Sequence, residues 1–195
     1  MSKQEELNAL GNFIKKKIAL LDEDDPWSRA SCARLRRAIG KKPGSSPDTW
    51  DVMLSEARNE WRSDDNYDAS PYEWAAHTAL TLYALHKQGK TESMNSYKDS
   101  FASAAAQLAT IDKENKEAIR RRFNIVATSA DYTELTQHAR SVVRMLKAAD
   151  VPMNYPKFAQ DLALFQFPGK KEKVRLRWGE DFYRIFDKIK KEDEE

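Results

Sequence analysis

The run that decides the reading of this chain is LTQHARSVVRMLKAADVPMNYPKFAQDL (residues 135–162), followed by KVRLRWGEDFYR (residues 173–184). In its first part Leu135, Ala139, Val142 and Leu146 recur at i, i+4, i+7 and i+11, the spacing of one apolar helical face. Arg140, Arg144 and Lys147 keep helical spacing on roughly the opposite side, since each residue turns a helix by about 100°. Val151-Pro152 ends this helix, and Asn154 stands where it can cap the next, with Pro156 in the first turn. The last segment repeats the design. Val174, Trp178, Phe182, Ile185 and Ile189 make an apolar face, while Lys170, Lys173, Arg177, Arg184 and Lys188 line another. Such cationic stripes read either as solvated faces of core helices or as a surface that holds a polyanion.

Working outward, the rest of the chain is also helical in pattern. Leu7, Leu10, Ile14, Ile18 and Leu21 share one face of a first helix. The acidic run Asp22–Asp25 before Pro26 suits the start of a second, because carboxylates favour the positive end of the helix dipole. That helix is predicted to run to Ile39 and stop at Gly40, with Cys32, Leu35 and Ile39 inward and Arg29, Arg34, Arg37 and Lys41 on one outer side. Ser46-Pro47 predicts a third helix with Trp50, Met53, Leu54, Ala57 and Trp61 inward, and Arg62–Ala69 reads as a polar loop. Ser70-Pro71-Tyr72-Glu73 has the spacing of a capping box and opens a helix through Trp74, Thr78, Leu82 and Leu85. Tyr97–Thr110 predicts an Ala-rich helix, Asp112 a cap for the next, and Asp131 with Glu134 a cap for the helix of the opening run. In that intermediate helix Ile119, Phe123 and Val126 face inward. The expectation is an all-α protein of eight or nine helices in two packed sub-bundles. The polar Lys90–Asn95 stretch divides residues 1–90 from residues 91–195, and the KKEDEE end reads as a charged tail.

Composition bounds the function. The 195 residues include five Trp and eight Phe, which argues against disorder despite 33% charged residues and a mean hydropathy of −0.78. The net charge is only +2, so nucleic-acid binding has to come from clustered cations rather than bulk charge. One cysteine, Cys32, excludes an internal disulfide. The N-terminus has no apolar signal region, and no apolar run reaches the roughly 20 residues of a membrane span. A cytoplasmic, soluble protein is expected, with no membrane contact.

Catalytic and metal chemistry find no foothold. His77 and His86 stand nine residues apart, on opposite faces of one helix, and His138 has no His or Cys neighbour in sequence. Asp64, Asn66 and Asp68 imitate the start of a calcium loop, but Ala69 replaces its glycine and Ala75 its bidentate Glu. Gly40-Lys41-Lys42-Pro43-Gly44-Ser45 has the letters of a phosphate loop in the wrong order. No cofactor or metal is expected. What remains is basic: Arg29–Lys42, which holds six cations and no acid, Arg120–Arg122, and the stripes with Arg140, Arg144 and Lys147 and with Lys170–Arg184. Arginine suits phosphate because its planar fork donates two parallel hydrogen bonds. Trp178 and Tyr183 have rings able to stack on bases, but Trp178 lies on the apolar stripe and is expected in the core.

In their order, SCARLRRAIGKKPG (residues 31–44), IRRRFNIVATS (residues 119–129), ELTQHARSVVRML (residues 134–146), FAQDL (residues 158–162) and VRLRWGEDFYR (residues 174–184) resemble the CasB family. These proteins are the small subunit of the type I-E CRISPR surveillance complex Cascade. The resemblance implies a non-catalytic subunit that lies beside guide RNA and steadies the R-loop by holding the target and displaced DNA strands. Partners would be other Cascade subunits and further copies of the chain. It also implies roles for Arg34, Arg36 and Arg37, for Arg120, Arg121 and Arg140, and for Arg175, Arg177 and Arg184. Arg36 lies off the side shared by Arg29, Arg34 and Arg37, which points it to a subunit contact. Gly179-Glu180-Asp181 stands where many relatives carry a further arginine. With Lys41, Arg144, Lys147 and Lys173, these residues form the expected nucleic-acid-binding set. The competing reading is a helical adaptor that binds an acidic protein through the same stripes; a free nucleic-acid-binding protein is a third.

None of these readings supplies a nucleophile, a metal cluster or a positioned acid–base pair. Pure protein is therefore expected to leave DNA and RNA intact in the presence of magnesium or manganese. Metal-dependent degradation that a single acidic substitution abolishes would show otherwise.

Overall fold

The computed structural model describes residues 2–58, 61 and 68–192, with side chains through 188. Among the described residues there are nine α-helices and no sheet. They are α1 (Lys3–Leu21), α2 (Pro26–Arg37), the single-turn α3 (Trp50–Met53), α4 (Pro71–Lys87), α5 (Phe101–Ile111), α6 (Lys116–Ala127), α7 (Tyr132–Ala148), α8 (Tyr155–Phe165) and α9 (Lys171–Glu192). Among the described residues no helix is long and apolar enough to cross a membrane.

Local chemistry explains most helix starts. Ser2 with Glu5 and Ser70 with Glu73 form reciprocal capping boxes on α1 and α4. Asp25, Ser100, Asp131 and Asn154 each accept a backbone N–H in the first turn of α2, α5, α7 and α8. The α6 cap differs from expectation. Asn115, not Asp112, precedes that helix, and Asp112 instead accepts from the Asn115 backbone and side-chain amides, which closes the turn before it. The helix α2 ends at Arg37, and Gly40, at φ +77, turns the chain away. As a result Ala38 is buried where Ile39 was expected.

The core is organised around α4. Every side chain from Ala75 to Ala84 is buried, so this helix must be covered on all sides. The covering helices are α1, α2, α7 and α8. Several of its buried polar groups are paired internally. Thr81 donates to the His77 carbonyl at 2.8 Å, Thr78 accepts from the Tyr132 hydroxyl at 2.9 Å, and His86 Nδ1 meets the Tyr155 hydroxyl at 3.0 Å. A second group packs around α5, which lies against α6, α7 and α9. The loop after α4 is where the sequence division at 90/91 falls, yet α8 from the second half packs against α1 and α4 of the first. Residues on that loop hold the entry to α8: Met153 N–H donates to the Met94 carbonyl, and Asn154 N–H to the Asp99 carbonyl. The approach of α8 to α1 is close, since a Cβ on Gly11 would lie 2.7 Å from Gln160 Nε2.

Aromatic packing joins the two groups. Phe101 contacts Phe158 and Trp178 at centroid distances of 4.9 and 5.1 Å, and Phe123 stacks on Phe182 at 4.1 Å. Trp178, Phe123, Leu135 and Phe182 are therefore core residues, as their spacing predicts. On α9 the inward stripe continues through Phe186, while Ile185 is half-buried; the Ile189 side chain and the tail from Asp193 lie outside the described residues, as do Asp64 and Asn66. The predicted third helix is overturned. Between Pro47 and Arg58 one 3-10 turn (Pro47–Thr49) and four helical residues form, and Val52 is buried while Trp50 and Leu54 are 46% and 42% exposed. Four residues are too few to present a helical stripe, and the ion pairs of Asp48 and Asp51 to α2 set the segment's rotation.

One buried carboxylate links α8 to α9. Asp161 is 1% exposed, accepts from Trp178 Nε1 at 2.7 Å and pairs with the Arg177 guanidinium, with Lys157 Nζ 3.7 Å away. Burial pushes its carboxyl up; Arg177, Lys157 and the Trp178 N–H oppose that. Removing one partner of a buried pair costs about 3–5 kcal/mol. Arg177→Ala is expected near the lower end because Lys157 remains, whereas Lys173→Ala, on the exposed side of α9, should stay within about ±0.5 kcal/mol. Urea unfolding of both variants checks this.

His77 and His86 generate a pH prediction. Burial holds both imidazoles at about 4, whereas in the unfolded chain they titrate at the ordinary 6.5. Between those values the unfolded state binds more protons, so stability falls as pH drops from 6.5 toward 4, by up to roughly 3 kcal/mol for each ring. Melting temperatures at about pH 7, 6 and 5 should decline, and His77→Gln should flatten that decline.

Candidate functional site

The sequence-predicted cations separate into three kinds once the helices pack. The first kind ties the fold together. The Arg36 guanidinium donates to the Ala84 carbonyl of α4 at 3.3 Å, so its departure from the outer side of α2 is explained within the chain. Arg175 donates to the Ser129 carbonyl at 2.5 Å and lies over the Phe165 ring, and Arg177 holds Asp161.

The second kind is neutralised locally. Arg29 meets Asp24, Arg34 meets Asp51 at 2.9 Å, and Arg37 meets Asp48 at 3.3 Å. The steepest charge bias in the sequence thus faces carboxylates from the segments before and after α2. Arg120 pairs with Glu117 at 2.5 Å and Arg184 with Asp181 at 3.1 Å, each one helical turn away. Exposed pairs of this sort contribute little stability, but they lower the local positive potential.

The third kind lies along the outer face of α7. Arg140 shares a cleft with Lys41, which reaches in from the turn after α2. Arg144 shares an open groove between α6 and α7 with Arg122. Lys147 donates to Gln88 at 2.9 Å, and burial together with the like charges of Arg36 and Lys90 pushes its ammonium down. Arg140 to Lys147 covers about 10 Å of helix at 1.5 Å per residue. Among the described residues no carboxylate forms an ion pair with Lys41, Arg140, Arg144 or Lys147. Arg121 on α6 and Lys173 on α9 are exposed as well, but α9 packs chiefly on α5 and α8, apart from the α7 face.

Sequence reasoning left Arg122, Lys87 and Lys90 out of the site. Arg122 donates to Ser141 of α7 at 2.5 Å and lines the Arg144 groove. Lys87 and Lys90 lie beside Arg36 at the end of α4, but Lys87 pairs with Asp22 at 3.5 Å and Lys90 with Asp150. Their signal was the clustering of basic residues at a helix C-terminus, which reads equally well as dipole compensation. The described residues contain no group of three His, Cys, Asp or Glu side chains able to hold a metal. Cys32 is buried, and burial pushes its thiol up, away from the reactive thiolate.

Comparisons with known proteins agree with this architecture. No curated protein sequence matches the chain significantly. The crystal structure of CasB from Thermobifida fusca is 28% identical, with a TM-score of 0.73 over 89% of this chain and 97% of that one. CasB from Thermus thermophilus shares the fold at 18% identity and a TM-score of 0.65, over 94% of this chain and 99% of that one. A chain in a structure described as a CRISPR RNA-guided surveillance complex shares it at 17% identity and 0.72, over 96% and 99%. The family model for CRISPR-associated protein Cse2 matches residues 31–183, from the middle of α2 to within α9. By that match, which takes in the central helix α4 and the whole basic face of α7, the chain belongs to the CRISPR-associated protein Cse2 family.

Proposed function

We propose that this chain is the non-catalytic small subunit of a Cascade surveillance complex and holds nucleic-acid backbone on the outer face of α7. The observation that carries this reading is the run of cations Arg140, Arg144 and Lys147, joined by Lys41 from the turn after α2 and Arg122 from α6. Bringing like charges together opposes folding, so such a track is useful where a polyanion neutralises it. Phosphates of guide RNA, of the target strand or of the displaced strand are such a polyanion. Backbone contacts position a strand without reading its bases. In RNA-guided systems base pairing supplies sequence recognition, and protein–backbone contacts tip a near-balanced strand exchange. The partners are then the guide RNA, both DNA strands, other Cascade subunits and further copies of this chain.

The test compares Arg140→Ala, Arg144→Ala and Arg37→Ala in reconstituted complex, following R-loop lifetime across a salt series. For the two α7 variants, melting should be unchanged, lifetime shorter for every target sequence, and the salt slope shallower by roughly 0.7 per lost single-strand contact. Arg37→Ala should act less, because Asp48 already offsets that charge. Unchanged lifetime and slope together with failed assembly would favour the adaptor reading, with these arginines binding protein.

A further inference from the structure

Between the turn after α2, the face of α4 and the first turns of α7 lies a cleft of about 360 Å³. Ligand pockets start at about that size. Its walls offer three chemistries. Trp74 and Tyr132, with ring centroids 6.0 Å apart and planes at 68°, supply aromatic surface beside His77. Lys41 and Arg140 supply positive charge, and the buried Arg140 Nε has no hydrogen-bond partner among the described residues. Thr133 and Gln137 add uncharged donors and acceptors. No carboxylate lines the cleft among the described residues, so an anion entering it meets no opposing charge.

Size and charge select the ligand class. Inorganic phosphate would pair with the cations but leave the aromatic wall and most of the volume unused. An uncharged nucleoside would fill the volume but leave Lys41 and Arg140 without a counter-charge. We propose that the cleft binds one nucleoside phosphate unit, its phosphate between Lys41 and Arg140 and its base against Trp74 and Tyr132. A planar base suits that wall because every base presents a π-face to aromatic side chains. The unit comes either from a free mononucleotide or from one nucleotide of a strand. The second source rests on the nucleic-acid reading above, and the first stands without it.

The test titrates full-length protein with AMP, adenosine, inorganic phosphate and a short oligothymidylate, following tryptophan fluorescence and ligand-observed NMR. AMP should saturate, and adenosine and phosphate should each bind at least about tenfold more weakly. Arg140→Gln should weaken AMP by about tenfold or more and Trp74→Phe should remove much of the fluorescence change. Lys188→Gln, on the exposed side of α9, should leave binding as it was. Competition by the oligothymidylate assigns the site to a strand, and its absence assigns it to free nucleotides; either supports the proposal. No saturable AMP binding at millimolar concentration by folded protein would overturn it. So would phosphate binding as tightly as AMP, or AMP binding untouched by Arg140→Gln. Arg144 lies outside the cleft, so a normal R-loop in Arg144→Ala with intact AMP binding would remove the strand-holding reading alone.

Discussion

A helix buried on every side sets the terms for the whole molecule. From Ala75 to Ala84, α4 has no solvent face, and such a helix is stable only if neighbours cover it all round. This demand draws α1, α2, α7 and α8 around it, and it brings α8 back across the chain's midpoint. Small residues at Ala75, Ala76, Ala79 and Ala84 let those neighbours approach, while Leu80, Leu82 and Tyr83 supply apolar bulk. Polar groups in this setting have to be paired. Thr78, Thr81 and Nδ1 of His86 are paired, two of them through tyrosine hydroxyls on α7 and α8. Those tyrosines fix the rotation of the helices that carry them, and so fix which side of α7 faces outward.

Electrostatics follows from that geometry. A cation on a helix has no defined function until the neighbouring segment is known. Arg34 and Arg37 project toward the short α3 segment, whose Asp48 and Asp51 answer them. Arg177 turns inward to a carboxylate that is 1% exposed, where the pair and the Trp178 N–H together offset the cost of burying charge. Along α7 the turn after α2 and α6 bring Lys41 and Arg122 beside Arg140 and Arg144, and burial with the like charges of Arg36 and Lys90 pushes the Lys147 ammonium down, although Lys90 itself pairs with Asp150. The protein's net charge of +2 thus conceals a strongly uneven surface. This arrangement supports the proposed sequence-independent contact with phosphates.

Much of the fold was legible in the sequence because helix signals are local. The capping residues Asp25, Ser70, Asp131 and Asn154 and the apolar spacing of Leu135, Ala139, Val142 and Leu146 act over one or a few turns. The exceptions have physical reasons too. The stretch from Pro47 to Arg58 has apolar residues at helical spacing, but its two aspartates are held by α2 and a 3-10 turn followed by one α-helical turn forms. Asp112 resembles a cap and instead closes the preceding turn through Asn115.

The candidate site was less legible. The sequence by itself determined that the chain is all-α, that Trp178 and Phe182 are core, and that cations are clustered at a few places. Clustering along the chain says nothing of what lies opposite. Only the tertiary structure decided that the six cations of Arg29–Lys42 are partly neutralised, that Arg36, Arg175 and Arg177 are structural ties, and that Lys41 meets Arg140 across 99 residues of chain. The reason is the range of the forces. Helix formation and capping depend on neighbours within about four residues, whereas the potential around a charge depends on every group within roughly a Debye length of 8–10 Å, whatever its position in sequence.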